Sequence, residues 1–437
     1  MRGKITEIRE KTAKARGKIT NVKGKLTKIR GKYLLLVIVM LIASLIKPIS
    51  ITAETKYITR SQFIKQLVQA MKLEVDKTSK LPYIDAALKA DILKSNQFTE
   101  YEGYITTTDA AVLLNRADEY LYKDTLDEKL YKVVLEKRIS DIEKVPKGKR
   151  EDVAKVVAKG IIKGYSNGKY VQNRSFKWDE YFTKTDAKVT LIRLMNPSKR
   201  VKLSPDGQLI RTTNLPKNAD KYEYVLECFP NSFYEMKFRY QTLTYYFKPI
   251  ELVHYASPIR IKDITFQNIS TQEVLDKYKD IWMERVETNL KMRLNVDYRT
   301  IDKNYIWLNN LRSTYTQYED AELDKRITDN IKAYIKNVKK NKIIIKSDII
   351  AVEPSSLYST GSFRVRVYAK FKVSFEGDRI PQEDLIFGDK ILLNNIKRGK
   401  WFEGVYDIEL GTINGSSDGS DYYITNDSLI DYYYKGE

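Results

Sequence analysis

The feature that most constrains this 437-residue chain is a short helix-start signature that occurs three times in its first half. The copies begin at Thr59, Thr106 and Thr183, and each has an acidic or amide residue three positions later. In a capping box, the threonine hydroxyl caps the amide of that residue, whose side chain returns a bond to the amide of the threonine. The repeat therefore predicts three helices that begin in the same way.

The remaining positions of the signature predict which helix face is buried. The capping partners and the leucines that follow them by five positions are Gln62, Asp109, Asp186, Leu67, Leu114 and Leu191. We expect these leucines to face inward.

The first helical residue is Arg60, Thr107 or Lys184, and a cation there opposes the helix dipole by a few tenths of a kcal/mol. This mildly unfavourable choice suggests that Arg60 and Lys184 bind a ligand.

A second shared element precedes the second and third copies. Residues 83–94 resemble residues 152–163, and each reads as a short helix that ends at an Ile-Leu or Ile-Ile pair. In the later element, Gly160 can adopt the left-handed conformation that closes a helix. The Asn167-Gly168 pair that follows is typical of a turn. These features indicate repeated structural units.

The motifs resemble the S-layer homology (SLH) domain. The match is carried by Gly160-Ile-Ile-Lys-Gly-Tyr-Ser-Asn-Gly168, by Ser140-Asp141-Ile142 and by Asp109-Ala-Ala-Val-Leu-Leu-Asn-Arg-Ala117. The resemblance implies an all-α domain over 54–197, with three units arranged about a pseudo-threefold axis. We place the units at about 55–80, 81–137 and 138–197.

The resemblance also implies a ligand, namely a peptidoglycan-linked secondary cell-wall polymer with acidic or pyruvylated sugars. An arginine in the signature is the natural partner of a sugar carboxylate, because a guanidinium donates two parallel hydrogen bonds. Only Arg60 keeps that arginine, since Thr107 removes the charge and Lys184 keeps it without the fork. We therefore expect at most two competent grooves, involving Arg60 and Lys184. The expected polymer-binding residues are Arg60, Lys184, Gly164, Tyr165, Gly168 and Trp178.

Each of these residues also has a structural interpretation. Exposed helix starts tolerate cations such as Arg60 and Lys184. The residues of the loop at 164–168 can simply form a turn. Trp178 can pack against the core instead of stacking on a sugar ring.

The first 53 residues predict export. Residues 1–32 carry twelve Lys or Arg and two Glu, and an uncharged apolar run follows at 33–46. A basic flank, a short apolar core and small residues up to Ala53 are typical of a secretory signal peptide. The alternative is an uncleaved membrane anchor, although a span usually needs about 20 residues. In both cases we expect the rest of the chain at the cell wall or S-layer, on the outer face of the cell envelope.

The second half predicts an α+β domain over 208–437, joined by a linker at 198–207 that is rich in proline, glycine and basic residues. Helical spacing of apolar residues is followed by strict alternation of apolar and polar residues, which predicts helices and then an antiparallel sheet. The predicted helices are 271–294 and 319–338, and the predicted strands are 343–352, 363–375 and 401–413.

The composition excludes several kinds of site. A single cysteine, Cys228, and a single histidine, His254, leave no disulfide framework, thiolate cluster or multi-histidine metal site. We expect Cys228 to be a buried apolar residue and His254 to be structural. About half of the net charge of +20 lies in the leader, and no basic module typical of nucleic-acid binding follows it. The oxygen-rich segment 414–421 predicts a flexible loop, with a calcium site as the alternative.

Together these features predict an exported cell-envelope protein, with no catalytic residues, cofactor or metal. Its SLH-like units would attach it non-covalently to an anionic glycopolymer, and its C-terminal region would be an interaction or assembly module for other surface proteins. The alternative is a tethered enzyme acting on polysaccharide or peptidoglycan through a site in 208–437. Two facing carboxylates in a concave pocket would favour that enzyme. A third hypothesis is that the units no longer bind sugar and serve as a scaffold.

Overall fold

The computed structural model describes residues 56–123, 126–236, 244–245, 248–249, 271–359, 362–376, 385–388, 397–412 and 422–426. The leader, His254 and the segment 414–421 lie outside these residues. Among the described residues, no helix is both long and apolar enough to cross a membrane.

The first part of the described chain is mainly helical. Its helices are α1 (Arg60–Met71), α2 (Pro82–Lys89), α3 (Thr107–Tyr122), α4 (Glu128–Val133), α5 (Arg150–Ala158) and α6 (Lys184–Met195). A π-helical turn at Val134–Arg138 continues α4. Two short strands, β1 (Tyr165–Ser166) and β2 (Arg174–Ser175), pair antiparallel in a hairpin that the all-α prediction did not include.

The helices α1, α3 and α6 begin at the three repeated threonines. Each threonine is extended, and its hydroxyl oxygen accepts a hydrogen bond from the amide three residues later, at 3.3, 3.1 and 3.0 Å in order. The return bond is present at Thr59, whose amide donates to Gln62 Oε1 at 3.2 Å. Asp109 and Asp186 differ from the capping-box prediction, since the shorter Asp109 carboxylate binds Lys149 and that of Asp186 accepts from the Thr183 hydroxyl.

The residues just before these threonines are joined in a closed cycle of backbone hydrogen bonds. The amide of Ile58 donates to the carbonyl of Phe182 at 3.1 Å, and the amide of Phe182 donates to the carbonyl of Ile105 at 2.8 Å. The amide of Ile105 donates to the carbonyl of Ile58 at 3.1 Å, which closes the cycle. All three side chains are buried. Leu67, Leu114 and Leu191 lie in the same core, as their spacing predicted. The three helix starts therefore occupy matching positions around one centre.

The second part of the chain combines helices with a curled antiparallel sheet. The helices are α7 (Asn231–Glu235), α8 (Thr271–Leu294), α9 (Ile306–Arg312) and α10 (Ala321–Lys340). The strands are β3 (Thr244–Tyr245), β4 (Lys248–Pro249), β5 (Val296–Asp297), β6 (Ile344–Val352), β7 (Tyr358–Ser359), β8 (Phe363–Ser374), β9 (Trp401–Gly411) and β10 (Tyr423–Asn426). In the main sheet the order is β10-β9-β8-β6-β5, with β7 also paired to β8.

The predicted helices and strands of this part agree with the structure. The helix α8 spans the predicted 271–294, and β6 and β9 flank β8 as expected. The helix α10 begins after Asp320, whose carboxylate accepts bonds from the amides of Glu322 and Leu323. Trp282 of α8 is fully buried against Phe363 of β8. One apolar face of the sheet thus forms the core with the helices.

The prediction that β8 is half-buried was wrong for its first seven residues, which are buried on both faces. Residues 222–236 cover the polar face of the sheet and add Phe229, Phe233 and Tyr234 to a second core there. Arg366 lies in this layer, where it bonds to Asp407 at 3.2 Å and to the carbonyl of Phe233 at 3.1 Å. The alternating sequence of β8 predicted one apolar and one polar face. It did not show that other parts of the chain would cover both faces.

The segment predicted as a linker packs against the helices. The amide of Val201 donates to the carbonyl of Gly160 at 3.0 Å. Arg138 binds the carbonyl and the carboxylate of Asp206 at 2.7 and 2.9 Å. Gly160 has a φ of 70°, and a side chain there would collide with the Val201 backbone, so this contact requires glycine. The segment 198–207 therefore connects the two parts through an ordered contact.

The β1–β2 hairpin also contacts the sheet. The ring of Tyr170 stacks on that of Tyr368 in β8, with centroids 3.6 Å apart. The side-chain amide of Gln172 donates to the carbonyl of Val352 at 2.8 Å, and the backbone amide of Tyr170 donates to the carbonyl of Cys228. Cys228, expected to be buried, is only partly buried and packs against the second core, where desolvation raises the pKa of its thiol to about 12.

Glu353 is a fully buried carboxyl beneath the layer formed by residues 222–236. Its carboxyl oxygens accept from the hydroxyls of Ser355 at 2.8 Å and Tyr234 at 3.3 Å. Desolvation raises its pKa from 4.5 to about 8, and the hydrogen bond from Ser355 and the charge of Lys279 offset this only in part. The folded state thus holds a proton that the unfolded state releases near pH 4.5.

We predict that the free energy of unfolding falls as the pH rises from 5 to 8, because the folded state binds the extra proton in this window. The slope from this group should reach about 1.4 kcal/mol per pH unit. Glu353→Gln should flatten the dependence in urea unfolding measured across this range, and Glu284→Gln, at an exposed position of α8, is the control. Equal slopes in wild type and Glu353→Gln would contradict the prediction.

Candidate functional site

The glycines of the 164–168 loop are set by backbone geometry. Gly164 has a φ of 64° and Gly168 a φ of 124°, and a side chain at Gly164 would lie 2.9 Å from the carbonyl oxygen of Ser175 in β2. Asp141 holds the far side of the hairpin, since its carboxylate accepts from the amides of Phe176 and Lys177 at 2.7 and 2.9 Å. These contacts fix the direction in which the loop presents its side chains.

The loop brings Tyr165 to the start of α6. The Tyr165 hydroxyl lies 3.4 Å from Oδ2 of Asp186, in the first turn of the helix that Lys184 begins. Tyr165 as a whole is 41% exposed. Desolvation and then the charge of Asp186 raise the pKa of Tyr165. Lys184 and Tyr165, both expected to bind polymer, thus lie at the same helix start.

Two further cations lie at this start that the sequence analysis missed. Lys177 places its ammonium 4.5 Å from the centroid of the Tyr165 ring, and it also pairs with Glu180 at 3.1 Å. The carbonyl of Lys56 accepts from the amide of Lys184 at 3.0 Å, and the Lys56 side chain is exposed. Neither lysine is part of a sequence motif, so only the folded structure shows that both lie near the start of α6. We call Lys56, Tyr165, Lys177 and Lys184 the α6 cluster.

Arg60 lies at the start of α1 in a different environment. Its guanidinium pairs with the carboxylate of Glu100 and lies over the ring of Phe98, 5.1 Å from the centroid. Only 21% of the side chain is exposed. The structure therefore places Arg60 and Lys184, expected to serve alike, at separate helix starts. A carboxylate pairs with Arg60, whereas the start of α6 carries both lysines and the carboxylates of Asp186 and Glu180.

The start of α3 carries no cation at its first position. Thr107 is 5% exposed, and its hydroxyl donates to the carbonyl of Glu180 at 3.0 Å. The hydroxyl of Thr108 donates to the carbonyl of Trp178 at 2.7 Å. Trp178 is partly buried and packs against the helical core. The hydroxyl of Thr107 is thus used in a backbone contact, and Trp178 lies partly within the helical core.

Three tyrosines cluster where the helix starts meet. Tyr57, Tyr104 and Tyr181 each lie two residues before a capping threonine, and their ring centroids are 5.7, 5.7 and 5.3 Å apart. Tyr181 is 50% exposed. The cluster adds an aromatic surface at the end of the domain that carries the three helix starts.

The second part of the chain contains a cleft of about 590 Å³ beside β5, α9 and the beginning of β6. Among its lining residues the carboxylate is Asp297, and a hydrogen bond from Arg299 lowers its pKa to about 2. Trp307 borders the cleft and donates its ring N–H to the carbonyl of Met292. Across the described ranges no group of three or more histidines, cysteines or carboxylates could hold a metal ion.

A family model described as the S-layer homology domain matches residues 138–171, which include Asp141 and the whole 164–168 loop. A search among curated proteins finds no match.

We predict that Thr183→Ala loosens the first turn of α6, because it removes the acceptor for the Asp186 amide. A lost cap costs about 1 kcal/mol, so amide exchange in this turn should become about fivefold faster. Thr183→Ser should restore protection. Thr185→Ala, at an exposed position of the same turn, is the control, and equal effects at 183 and 185 would refute the capping role.

Proposed function

Because the chain contains an S-layer homology domain, which is a domain of cell-wall and surface binding, we propose that it attaches non-covalently to an anionic secondary cell-wall glycopolymer. The proposal extends the family match from residues 138–171 to the neighbouring helices. It places the protein outside the cell, at the cell wall or S-layer, with the leader as signal peptide or anchor.

The observation that best supports polymer binding is the α6 cluster. Lys177 places its ammonium over the exposed Tyr165, and the loop that positions Tyr165 lies inside the family match. Lys184 begins the same helix, and the backbone of Lys56 is bonded to it, with the Lys56 ammonium over the ring of Tyr57. Ammonium groups attract sugar carboxylates, and an aromatic face stacks on a pyranose ring. Gly164 and Gly168 serve by shaping the loop, and Trp178 supports the neighbouring helix start.

The closed backbone cycle supports a domain of three related units at about 55–80, 81–137 and 138–197. Each unit would contribute one capped helix and one residue of the cycle, namely Ile58, Ile105 or Phe182. The different charges at the three starts support unequal grooves, with the α6 cluster as the principal one. A pure scaffold would not need cations beside an exposed ring at one of these starts.

For the second part of the chain we propose a non-enzymatic interaction or assembly module. The hypothesis of a glycosidase required two facing carboxylates in a pocket. The cleft beside β5 is lined instead by the ionised Asp297, which pairs with Arg299, by Lys303 and Lys346, and by amide, hydroxyl and apolar side chains. This lining suits contact with a partner better than acid catalysis.

We predict that the full-length chain co-sediments with isolated cell-wall sacculi, and that Lys184→Ala weakens this binding by about tenfold at low salt. Lys188→Ala, one helical turn further along α6 and exposed, removes the same charge outside the α6 cluster and should bind like wild type. Sacculi from which the secondary polymer has been extracted should retain neither protein. Added salt should weaken wild-type binding because the attraction is electrostatic.

Two results would contradict the proposal. Equal retention of wild type by intact and extracted sacculi would show that the polymer is not the ligand. Equal affinities for Lys184→Ala and Lys188→Ala would remove the α6 cluster as the binding site.

A further inference from the structure

The carboxylate of Glu100 occupies a site built from two parts of the chain. One oxygen pairs with Nη1 of Arg60, and the other accepts a hydrogen bond from the amide of Gly103 at 2.6 Å. The same guanidinium nitrogen donates to the Glu100 carbonyl at 3.1 Å. The ring of Phe98 lies against the guanidinium. These groups bind a carboxylate through a charged donor and a backbone amide.

Gly103 makes this arrangement sterically feasible. A side chain at that position would overlap the carboxylate of Glu100 and would lie 3.1 Å from Nη1 of Arg60. The carbonyl of Gly103 also accepts from the amide of Arg60 at 2.9 Å, which fixes the turn against the start of α1. The backbone of residues 100–103 is thus held around a carboxylate.

Glu100 is held less firmly than the groups that bind it. Its side chain is 53% exposed, whereas that of Arg60 is 21% exposed. The Nε atom of Arg60 is buried without a hydrogen-bond partner, so the guanidinium fork is only partly used. An ion pair with one exposed partner contributes little to stability. An external carboxylate that used more of the fork could therefore replace Glu100 at low cost.

Backbone hydrogen bonds next to the cycle identify the residues at the α3 start that correspond to those at the α1 start. At the α1 start, the amides of Arg60 and Ser61 donate to the carbonyls of Gly103 and Tyr101, respectively. At the α3 start, the amides of Thr107 and Thr108 donate to the carbonyls of Glu180 and Trp178, respectively. By this alignment the position of Glu100 is taken by Lys177, a residue of opposite charge that belongs to the α6 cluster. Glu100 is therefore not required by the geometry that the helix starts share.

We propose that Glu100 is an internal competitor that closes a carboxylate-binding site formed by Arg60 and the Gly103 amide. A sugar carboxylate of the polymer would bind there by displacing the Glu100 side chain, which would turn outward into solvent. Glu100 would thereby decide how strongly the α1 start contributes beside the α6 cluster. The inference rests on the proposed function, because it assumes that the ligand is a polymer with acidic sugars.

The test uses D-glucuronate as the carboxylate probe and D-glucuronamide as its uncharged match. Binding to the full chain is followed by the NMR signal of the Arg60 Nε–H group, assigned with Arg60→Lys. Glu100→Gln should bind glucuronate roughly threefold to fivefold more tightly than wild type, as expected for the loss of a surface ion pair. Glucuronamide should show no such gain. Glu102→Gln changes the same charge at an exposed neighbour and is the control.

Two results would overturn the proposal. One is an equal glucuronate affinity for Glu100→Gln and Glu102→Gln while α1 keeps wild-type amide protection. The other is a gain that persists in Arg60→Ala/Glu100→Gln, because the anion would then bind elsewhere. Sedimentation with sacculi tests the proposed function separately. A tighter glucuronate site in a chain that ignores sacculi would support the carboxylate site and refute only the polymer role.

Discussion

The closed cycle of backbone hydrogen bonds through Ile58, Ile105 and Phe182 is the constraint on which the site depends. Each residue donates to one neighbour and accepts from the other, so no helix start can move without breaking bonds to both. The capping threonines follow directly, and they turn each chain segment into its helix. The cycle therefore converts three local capping signals, far apart in sequence, into one surface where the first residues of three helices lie side by side.

On this common frame the differences between the starts are differences of charge. The α6 start combines Lys184 with lysines from two other segments, whereas the α1 start pairs Arg60 with Glu100. The α3 start uses the hydroxyl of Thr107 for a backbone contact. Because the backbone geometry is shared, the three helix starts differ mainly in the charged and polar side chains that they carry.

The sequence predicted what depends on neighbours along the chain. Capping at Thr59, Thr106 and Thr183 obeys rules that span three residues, and the alternation that predicted β8 runs along the continuous segment 363–375. The charge environment of Arg60 could not be predicted, because Glu100 lies forty residues away and pairs only through the fold. The burial of Arg366 was missed for the same reason, since residues 222–236 cover it from another part of the chain.

The hairpin that carries Tyr165 links the candidate site to the second part of the chain. At one end of the hairpin Tyr165 contacts the first turn of α6, and beyond its turn Tyr170 stacks on Tyr368 of the sheet. Gln172 adds a hydrogen bond to the end of β6. The orientation of the exposed ring therefore depends on the sheet as well as on the helices. For this reason the 54–197 region alone is not a faithful substitute for the whole chain in binding measurements.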